Sequence, residues 1–259
     1  MRAFPVAQNP LITQIELMAS RAWPAREVET LGGWILRADH GVTRRANSVL
    51  PVGSLGDIPL DEAISHVRSF YEQRGITPCF QMTTSSEPAE LDNRLGDRGF
   101  VRELVVNVQI SDLRSIALAP PRIPVVLRNS ATPSWIKTYA DAEGYDTKSA
   151  TIRRGIIGRI ALTKALASAT VGRRIIAVGL GVVENDWLGL FSIATLSEYR
   201  RQGAASSVVA ALCSWGLSKG AKSAYLQVES RNQPALEMYE KTGFKSLYTY
   251  WHRMLRADT

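Results

Sequence analysis

The run Thr195-Leu196-Ser197-Glu198-Tyr199-Arg200-Arg201-Gln202-Gly203-Ala204-Ala205-Ser206 carries residue types and spacing that can grip an anion. The apolar residues up to Thr195 read as a strand. A small-residue turn then opens a long helix from about Gly203 to Lys219. The first amides of a helix have no internal partners, and the helix dipole makes that end partly positive. Small side chains at Gly203, Ala204 and Ala205 let a phosphate come within hydrogen-bond distance of those amides. Arg201 through Ser206, with Gln202 among them, therefore form a cradle for a diphosphate, and Arg200 or Arg201 adds a screened positive charge. On these residues alone an ordinary helix start is the open alternative.

A second stretch lies downstream. Val228-Glu229-Ser230-Arg231-Asn232-Gln233-Pro234-Ala235-Leu236-Glu237-Met238-Tyr239 continues to Gly243-Phe244. It places Asn232 at a strand-to-helix junction and Tyr239 about one turn or so into the following helix. With both stretches in order, the sequence resembles the GNAT superfamily, whose members transfer acyl groups from acyl-CoA to amines. The family pattern is [R/Q]-x-x-G-x-[G/A], then N-x-x-A-x-x-x-Y, then G-F. Arg200, Gly203 and Ala205 match the first part; Asn232, Ala235, Tyr239, Gly243 and Phe244 match the rest. The resemblance covers Pro124 to Leu255. It implies acetyl-CoA as cosubstrate, lying where the fourth and fifth strands splay apart. Backbone groups near Ile193, Ala194 and Thr195 would bond the pantetheine arm like an added strand. The family usually has valine at the position of Thr195 and proline at that of Ser197; neither change removes a backbone contact.

The resemblance further implies direct transfer in a ternary complex, in which a neutral amine attacks the thioester and oriented strand amides stabilise the oxyanion. Tyr239 stands where the family keeps its general acid. A thiol titrates near ~8.5 and a phenol near ~10, so protonation of the departing thiolate is feasible without being strongly driven. An aromatic packed beside the cofactor is the other reading of Tyr239. For the general base, Glu184, Glu143 and Glu229 all stay open. Tyr145 and Asp146 fall where the family places an acceptor-binding loop. The competing functional class is a non-catalytic CoA-binding or interaction module.

The elements needed to hold these residues follow from periodicity. After a helix at Leu11–Ala22, the spacing predicts a strand at Leu31–Arg37, another at about Arg45–Val52, and an amphipathic helix at Leu60–Arg74. A strand at Thr77–Thr83, a helix at Glu87–Arg98 and a strand at Leu104–Ile110 complete the first half. The prolines of Leu118-Ala119-Pro120-Pro121-Arg122-Ile123-Pro124 read as a linker. Beyond it come a short strand at Val125–Arg128, helices at Thr132–Glu143 and about Thr151–Leu162, and strands near 165–171, 174–183 and 187–195. The long helix, a strand at Ser223–Glu229, a helix at Pro234–Lys241 and a last strand close the chain. The two halves share this order, including Gly99-Phe100 and Gly243-Phe244, which suggests duplication. The expected fold is α+β: tandem GNAT-like domains, each a mixed, mostly antiparallel sheet flanked by helices. Residues 1–117 would form a degenerate GNAT-like domain and 118–259 the transferase domain. In the first half the loop before the second helix contains Asp57 and Pro59, one repelling an anion and the other lacking an amide, so no CoA is expected there. Trp34, Arg44, Arg45, Asn47 and Ser48 read equally as an acceptor pocket or as core plus solvated edge.

The 259 residues are 45% hydrophobic and 21% charged, enough to bury a core and too apolar for a disordered chain. No run approaches the ~18 apolar residues of a membrane span, and the first residues lack a secretory apolar core. Up to Ser115 there are 12 Arg, no Lys and 14 Asp or Glu, a balance of −2; the remainder carries +9, which brings the total to +7. The Arg pairs of that half are scattered, so a nucleic-acid partner is not expected. The two cysteines, Cys79 and Cys213, form no disulfide framework, and a reducing cytoplasm is the expected setting. His40, His66 and His252 have no ligand partners at metal spacing. The expected partner is a small-molecule or peptide amine; neither a membrane nor an oligomeric state is indicated.

Overall fold

A computed structural model of the chain describes residues 9–116 and 121–256. The start of the proline-rich linker, 117–120, lies outside the described residues. Two compact units result: the first takes residues up to Ser20, Ala25–Val105 and Thr249 onward, and the second takes Arg21–Pro24 and Val106–Tyr248. A division at 117/118 follows the chain, whereas these units do not.

The first unit begins with helix α1 (Pro10–Ala22), whose Ile12, Ile15, Met18 and Ala19 are buried as their helical spacing predicts. Strands β1 (Glu27–Leu31) and β2 (Trp34–Ala38) form a hairpin turned at Gly32-Gly33. One strand is predicted across this turn, because β1, with Glu27 and Val28 exposed and Glu29 half-buried, carries no apolar alternation. Arg44–Ala46 is a short 3-10 helix rather than strand, and β3 (Val49–Pro51) follows it. Helix α2 (Leu60–Glu72) crosses to β4 (Cys79–Met82), parallel to β3. Helix α3 (Leu91–Asp97) starts later than expected, since Pro88 disfavours helix in the residue before it. Strand β5 (Phe100–Asp112) leaves this unit at Val105.

The second unit repeats the plan around the helix-opening motif. Strand β6 (Val125–Arg128) leads to α4 (Pro133–Glu143), capped by Thr132, whose hydroxyl accepts from the Trp135 amide. Helix α5 (Thr147–Arg159) begins at Asp146, whose carboxylate accepts from Ser149 N at 2.7 Å. Asp146 is thus a helix cap, one use of a residue expected in an acceptor loop. Strands β7 (Thr163–Val171), β8 (Arg174–Glu184) and β9 (Trp187–Thr195) are antiparallel neighbours. Helix α6 (Ala204–Ser218) then crosses to β10 (Ser223–Glu229), which runs parallel to β9. Helix α7 (Gln233–Lys241) and β11 (Lys245–Leu255) finish the chain.

Each half therefore runs three antiparallel strands, a crossover helix, a parallel strand, a short helix and Gly-Phe. Gly99 and Gly243 end α3 and α7 at φ 82° and 94°, in the left-handed region that glycine adopts at least cost. The strands after them change places. Residues 106–112 of β5 pair antiparallel with β10 in the second unit. Trp251–Met254 of β11 pair antiparallel with β4 in the first. Val208, Val209, Leu212 and Cys213 of α6 pack with Leu188, Leu190, Ala224 and Leu226 of the sheet, and Tyr239 and Phe244 join that core.

Candidate active site

Strands β9 and β10 are paired only from Trp187/Ser223 to Leu190/Leu226, and beyond that point they part. A cavity of about 610 Å³ opens in the second unit where the pairing ends. Its lining includes Ile193, Thr195, Arg200, Arg201, Gly203, Ala204, Ala205, Ser206, Asn232 and Tyr239, so the two sequence motifs converge on one space. Two predicted residues are not in its lining. Ala194, 4% exposed, is buried in the protein, and the Gln202 side chain turns back to donate to Glu198 O at 3.0 Å.

At one end of the cavity stands the start of α6. Gly203 is its N-cap at φ 84° and supplies no side chain to cap it. The first helical hydrogen bond runs from Ser207 N to Gly203 O at 3.0 Å, which leaves the amides of Ala204, Ala205 and Ser206 without intrahelical acceptors. Arg201, at φ 62°, is a second left-handed residue of the loop, and alternation of this kind turns successive amides to one side. The cradle thus consists of backbone donors with no Cβ in the way, as an approaching diphosphate requires.

Arg200, foreseen as a cation for the anion, is differently employed. Its Nη2 donates to Ala142 O at 3.0 Å and its Nε to Thr195 O at 3.3 Å, tying the end of α4 to the end of β9. Arg201 remains beside the cradle, and two further cations join it that the motifs did not reveal, Arg122 and Lys241. Arg122 lies in the segment read as linker; its neighbour Ile123 donates its amide to Ser207 Oγ at 3.2 Å, which pins it to the first turn of α6. From α7 come Pro234, Ala235, Met238 and Tyr239, on one helical face, with Thr242 at its C-cap. Asn232 caps that helix by accepting from Ala235 N at 3.3 Å.

At the other end the chemistry is acid–base. Tyr239 is 6% exposed and packs edge-on against Phe244 at 5.8 Å. Burial, with the nearby Cys213 and Glu143, pushes the phenol above its ordinary value, so it stays protonated at neutral pH. Beside it β9 is irregular: its register with β8 slips between Val178 and Leu180, and Ser192 adopts φ 51°. Such a bulge redirects a strand and frees its groups from the ladder. No residue type announced it, because the left-handed position is held by serine.

Of the three carboxylates left open as bases, Glu184 is remote. Ala177 faces Thr195 at the cleft end of β8, and Glu184 faces Trp187 at the other. Seven residues at ~3.3 Å each put it roughly 20 Å away. Arg21 also holds it at 2.7 Å. Glu229 is paired with Arg231 at 2.6 Å. Both cysteines are free and buried, and burial raises each thiol to about 12, so neither is a ready nucleophile. No group of metal-binding side chains occurs among the described residues. None of the described helices is long and apolar enough to cross a membrane.

In the first unit the polar set around Trp34 is used internally. Trp34 is fully buried, Asn47 bonds Asp39, Gly41 and Thr43, and Ser48 accepts from Arg37. Arg44 forms a half-exposed ion pair with Glu103 at 3.1 Å.

A splayed parallel strand pair, a helix N-terminus facing the gap and a phenol beside it define a GNAT-type acetyltransferase, and known proteins share the architecture. A GCN5-related N-acetyltransferase from Kribbella flavida superposes with a TM-score of 0.69 at 14% identity, over 99% of this chain and 98% of that one. A tandem GNAT protein from the clavulanic acid biosynthesis pathway superposes at 0.61 and 11% identity, over 99% of this chain and 92% of that one. In sequence, an uncharacterized N-acetyltransferase of Bacillus subtilis, YobR, is 28% identical over 248 residues, covering 95% of this chain and 99% of that protein. The probable histone acetyltransferase Rv0428c of Mycobacterium tuberculosis is 27% identical over 236 residues, covering 90% of this chain and 70% of that protein. The family described as "Probable histone acetyltransferase Rv0428c C-terminal" matches residues 11–253, and the chain belongs to it.

Proposed function

We propose that this acetyltransferase moves an acetyl group from acetyl-CoA to the amine of a small molecule or peptide, by direct attack in a ternary complex. The observation that carries the reading is that one cavity is lined both by the start of α6, with its uncapped amides, and by Tyr239. Acetyl-CoA would supply an activated thioester. The amides of Ala204, Ala205 and Ser206 would hold its diphosphate, with Arg201, Arg122 and Lys241 as counter-charges. Ile193 and Thr195 would flank the pantetheine arm; the buried Thr195 Oγ1 has no partner among the described residues and suits a polar arm. Tyr239 would hand its proton to the departing sulfur. Amine-dependent release of free thiol from acetyl-CoA tests the reading: release that ignores added amine would mean hydrolysis, and absence of both binding and release would leave a protein without this chemistry.

Two expected results follow at the site. Arg122→Ala should weaken acetyl-CoA about fivefold to tenfold by calorimetry, with the loss shrinking as salt screens the charge. Equal affinity at low salt would remove Arg122 from the site. Tyr239→Phe keeps the edge-on packing with Phe244 and loses only the proton. It should therefore lower kcat by about a hundredfold while the dissociation constant of acetyl-CoA stays within twofold or so. A variant at full speed would make Tyr239 a packing residue.

In the first unit the equivalent strand edge carries hydrogen bonds of its own. Strands β3 and β4 pair only at Val49/Phe80, but past that point Glu87 N donates to Pro51 O at 2.9 Å and Glu87 O accepts from Trp34 Nε1 at 2.7 Å. The protein's own backbone takes the strand-edge hydrogen bond that a pantetheine arm would need. Buried, unpaired thiols are compatible with a cytoplasmic setting.

A further inference from the structure

We propose that Arg122 reads the 3′-phosphate on the ribose of the donor, so that the protein takes its acyl group from a CoA thioester and not from a thioester on protein-bound phosphopantetheine. The inference rests on the transferase reading above and deepens it by naming the part of the donor that is selected.

The segment that carries Arg122 is fixed on both sides. Ile123 N donates to Ser207 Oγ at 3.2 Å, and Pro124 O accepts from Thr170 N of β7 at 3.0 Å. The Ser207 hydroxyl spends its own proton on Gly203 O, also at 3.0 Å. Ser207 follows Gly203 by four residues and so lies on the same face of the helix start. A Cβ on Gly203 would meet the Arg122 side chain at Cδ, 3.9 Å away. The chain at Arg122 thus runs along the flank of the first turn of α6 rather than across its end. The free amides of Ala204, Ala205 and Ser206 point along the axis, out of that end. One cavity therefore offers an anion two directions: backbone donors in line with the helix, and a guanidinium beside it.

The other charges of the lining are engaged or offset. Arg200 is spent on two carbonyls. Lys241 follows Glu237 by one turn on the same flank of α7, and the carboxylate offsets it. Arg201 belongs to the loop that turns into α6 and stays with the amides. Arg122 is exposed and has no hydrogen bond or ion pair among the described residues, which leaves it for a second anionic group.

A CoA thioester carries such a group. Its ribose bears the diphosphate at one position and a phosphomonoester at another, so two anions diverge from one sugar. The monoester holds a charge of about −1.5 to −2 at neutral pH and presents three terminal oxygens. A planar guanidinium fork suits that group better than it suits a singly charged diester. The orientation agrees: Thr195, with its buried Oγ1, and Tyr239 mark the thioester end of the cavity, and the start of α6 with Arg122 is left for the nucleotide. Phosphopantetheine on a carrier protein has the arm and one phosphate but no ribose, and it leaves Arg122 without a partner.

The test is calorimetry on the whole protein with acetyl-CoA and acetyl-3′-dephospho-CoA, which differ only in that phosphate. The wild type should bind the dephospho compound about tenfold more weakly at low salt, and the gap should narrow as salt rises. Arg122→Ala should lose about fivefold to tenfold against acetyl-CoA but stay within about twofold of the wild type against the dephospho compound, so that the two ligands become nearly equal. Arg201→Ala should weaken both by a similar factor; a loss confined to acetyl-CoA would move the phosphate to Arg201 and overturn the assignment. Acetylated acyl carrier protein in about tenfold excess should not displace acetyl-CoA, and displacement overturns the selectivity. Equal affinity of the wild type for the two thioesters overturns the subsite, a comparison that needs no variant to fold. An R122A that weakens both alike also overturns it and makes Arg122 a support for the helix start. A wild type that binds neither overturns the transferase reading and the subsite with it.

Discussion

Gly203→Glu is expected to remove acetyl-CoA binding from calorimetric detection, a loss of at least about a hundredfold or ~2.7 kcal/mol, with only a small fall in melting temperature. The position sits at φ 84°, where any side chain costs about 1–2 kcal/mol of backbone strain. A Cβ there would meet only Arg122 Cδ at 3.9 Å, so no atom of the core is displaced. What fills with carboxylate is the space in front of three uncapped amides and between Arg122 and Arg201, where a diphosphate would lie. Gly203→Ala separates the causes. It bears the same strain without charge or reach, and it should keep affinity within about tenfold of wild type. If G203E binds as tightly as the wild type, the start of α6 is not the anion site.

How much of this could be read from the chain depends on the kind of signal. The candidate cleft was legible because backbone geometry there demands particular residues: a small, left-handed Gly203 at a helix start and an Asn232 cap seven places before Tyr239 leave marks in sequence. The second unit's strands were legible for a similar reason, since β8 is buried over most of its length and reads as a continuous apolar run. Hairpin β1–β2 was half missed because an edge strand with Glu27 and Val28 exposed carries no periodicity. Arg122 was hidden by its prolines, which speak for a linker whatever the arginine does. The true use of Arg200 was invisible altogether. Whether a guanidinium meets a phosphate or two carbonyls depends on where Ala142 ends up, and Ala142 is 58 residues away in the chain. Glu143 is subject to the same limit: burial and Glu229 raise the pKa of its carboxyl while Arg200, Tyr145 and Arg153 lower it, and no spacing rule joins residues from four elements.

The exchange of final strands leads to the other large effect. A fragment beginning at Pro121 contains every residue of the cavity, yet it should not fold. It lacks residues 106–112 of β5, which pair with all seven residues of β10 from Ser223 to Glu229. It also lacks Leu113 and Ile116, both buried in the core that holds Val208, Leu212, Tyr239 and Phe244. Loss of those two side chains alone removes about 3–6 kcal/mol of burial, against a total stability of ~5–15 kcal/mol for a domain. Strand β10 would become an open edge next to the splayed end of β9, with nothing to keep the gap at its width. Circular dichroism should show no cooperative melting for 121–259, and calorimetry no acetyl-CoA binding. A fragment starting at Val106 restores the strand and should recover part of the cooperativity. If 121–259 instead melts sharply and binds the thioester, then β5 is dispensable, and the cofactor cleft depends on the strands of the second half alone.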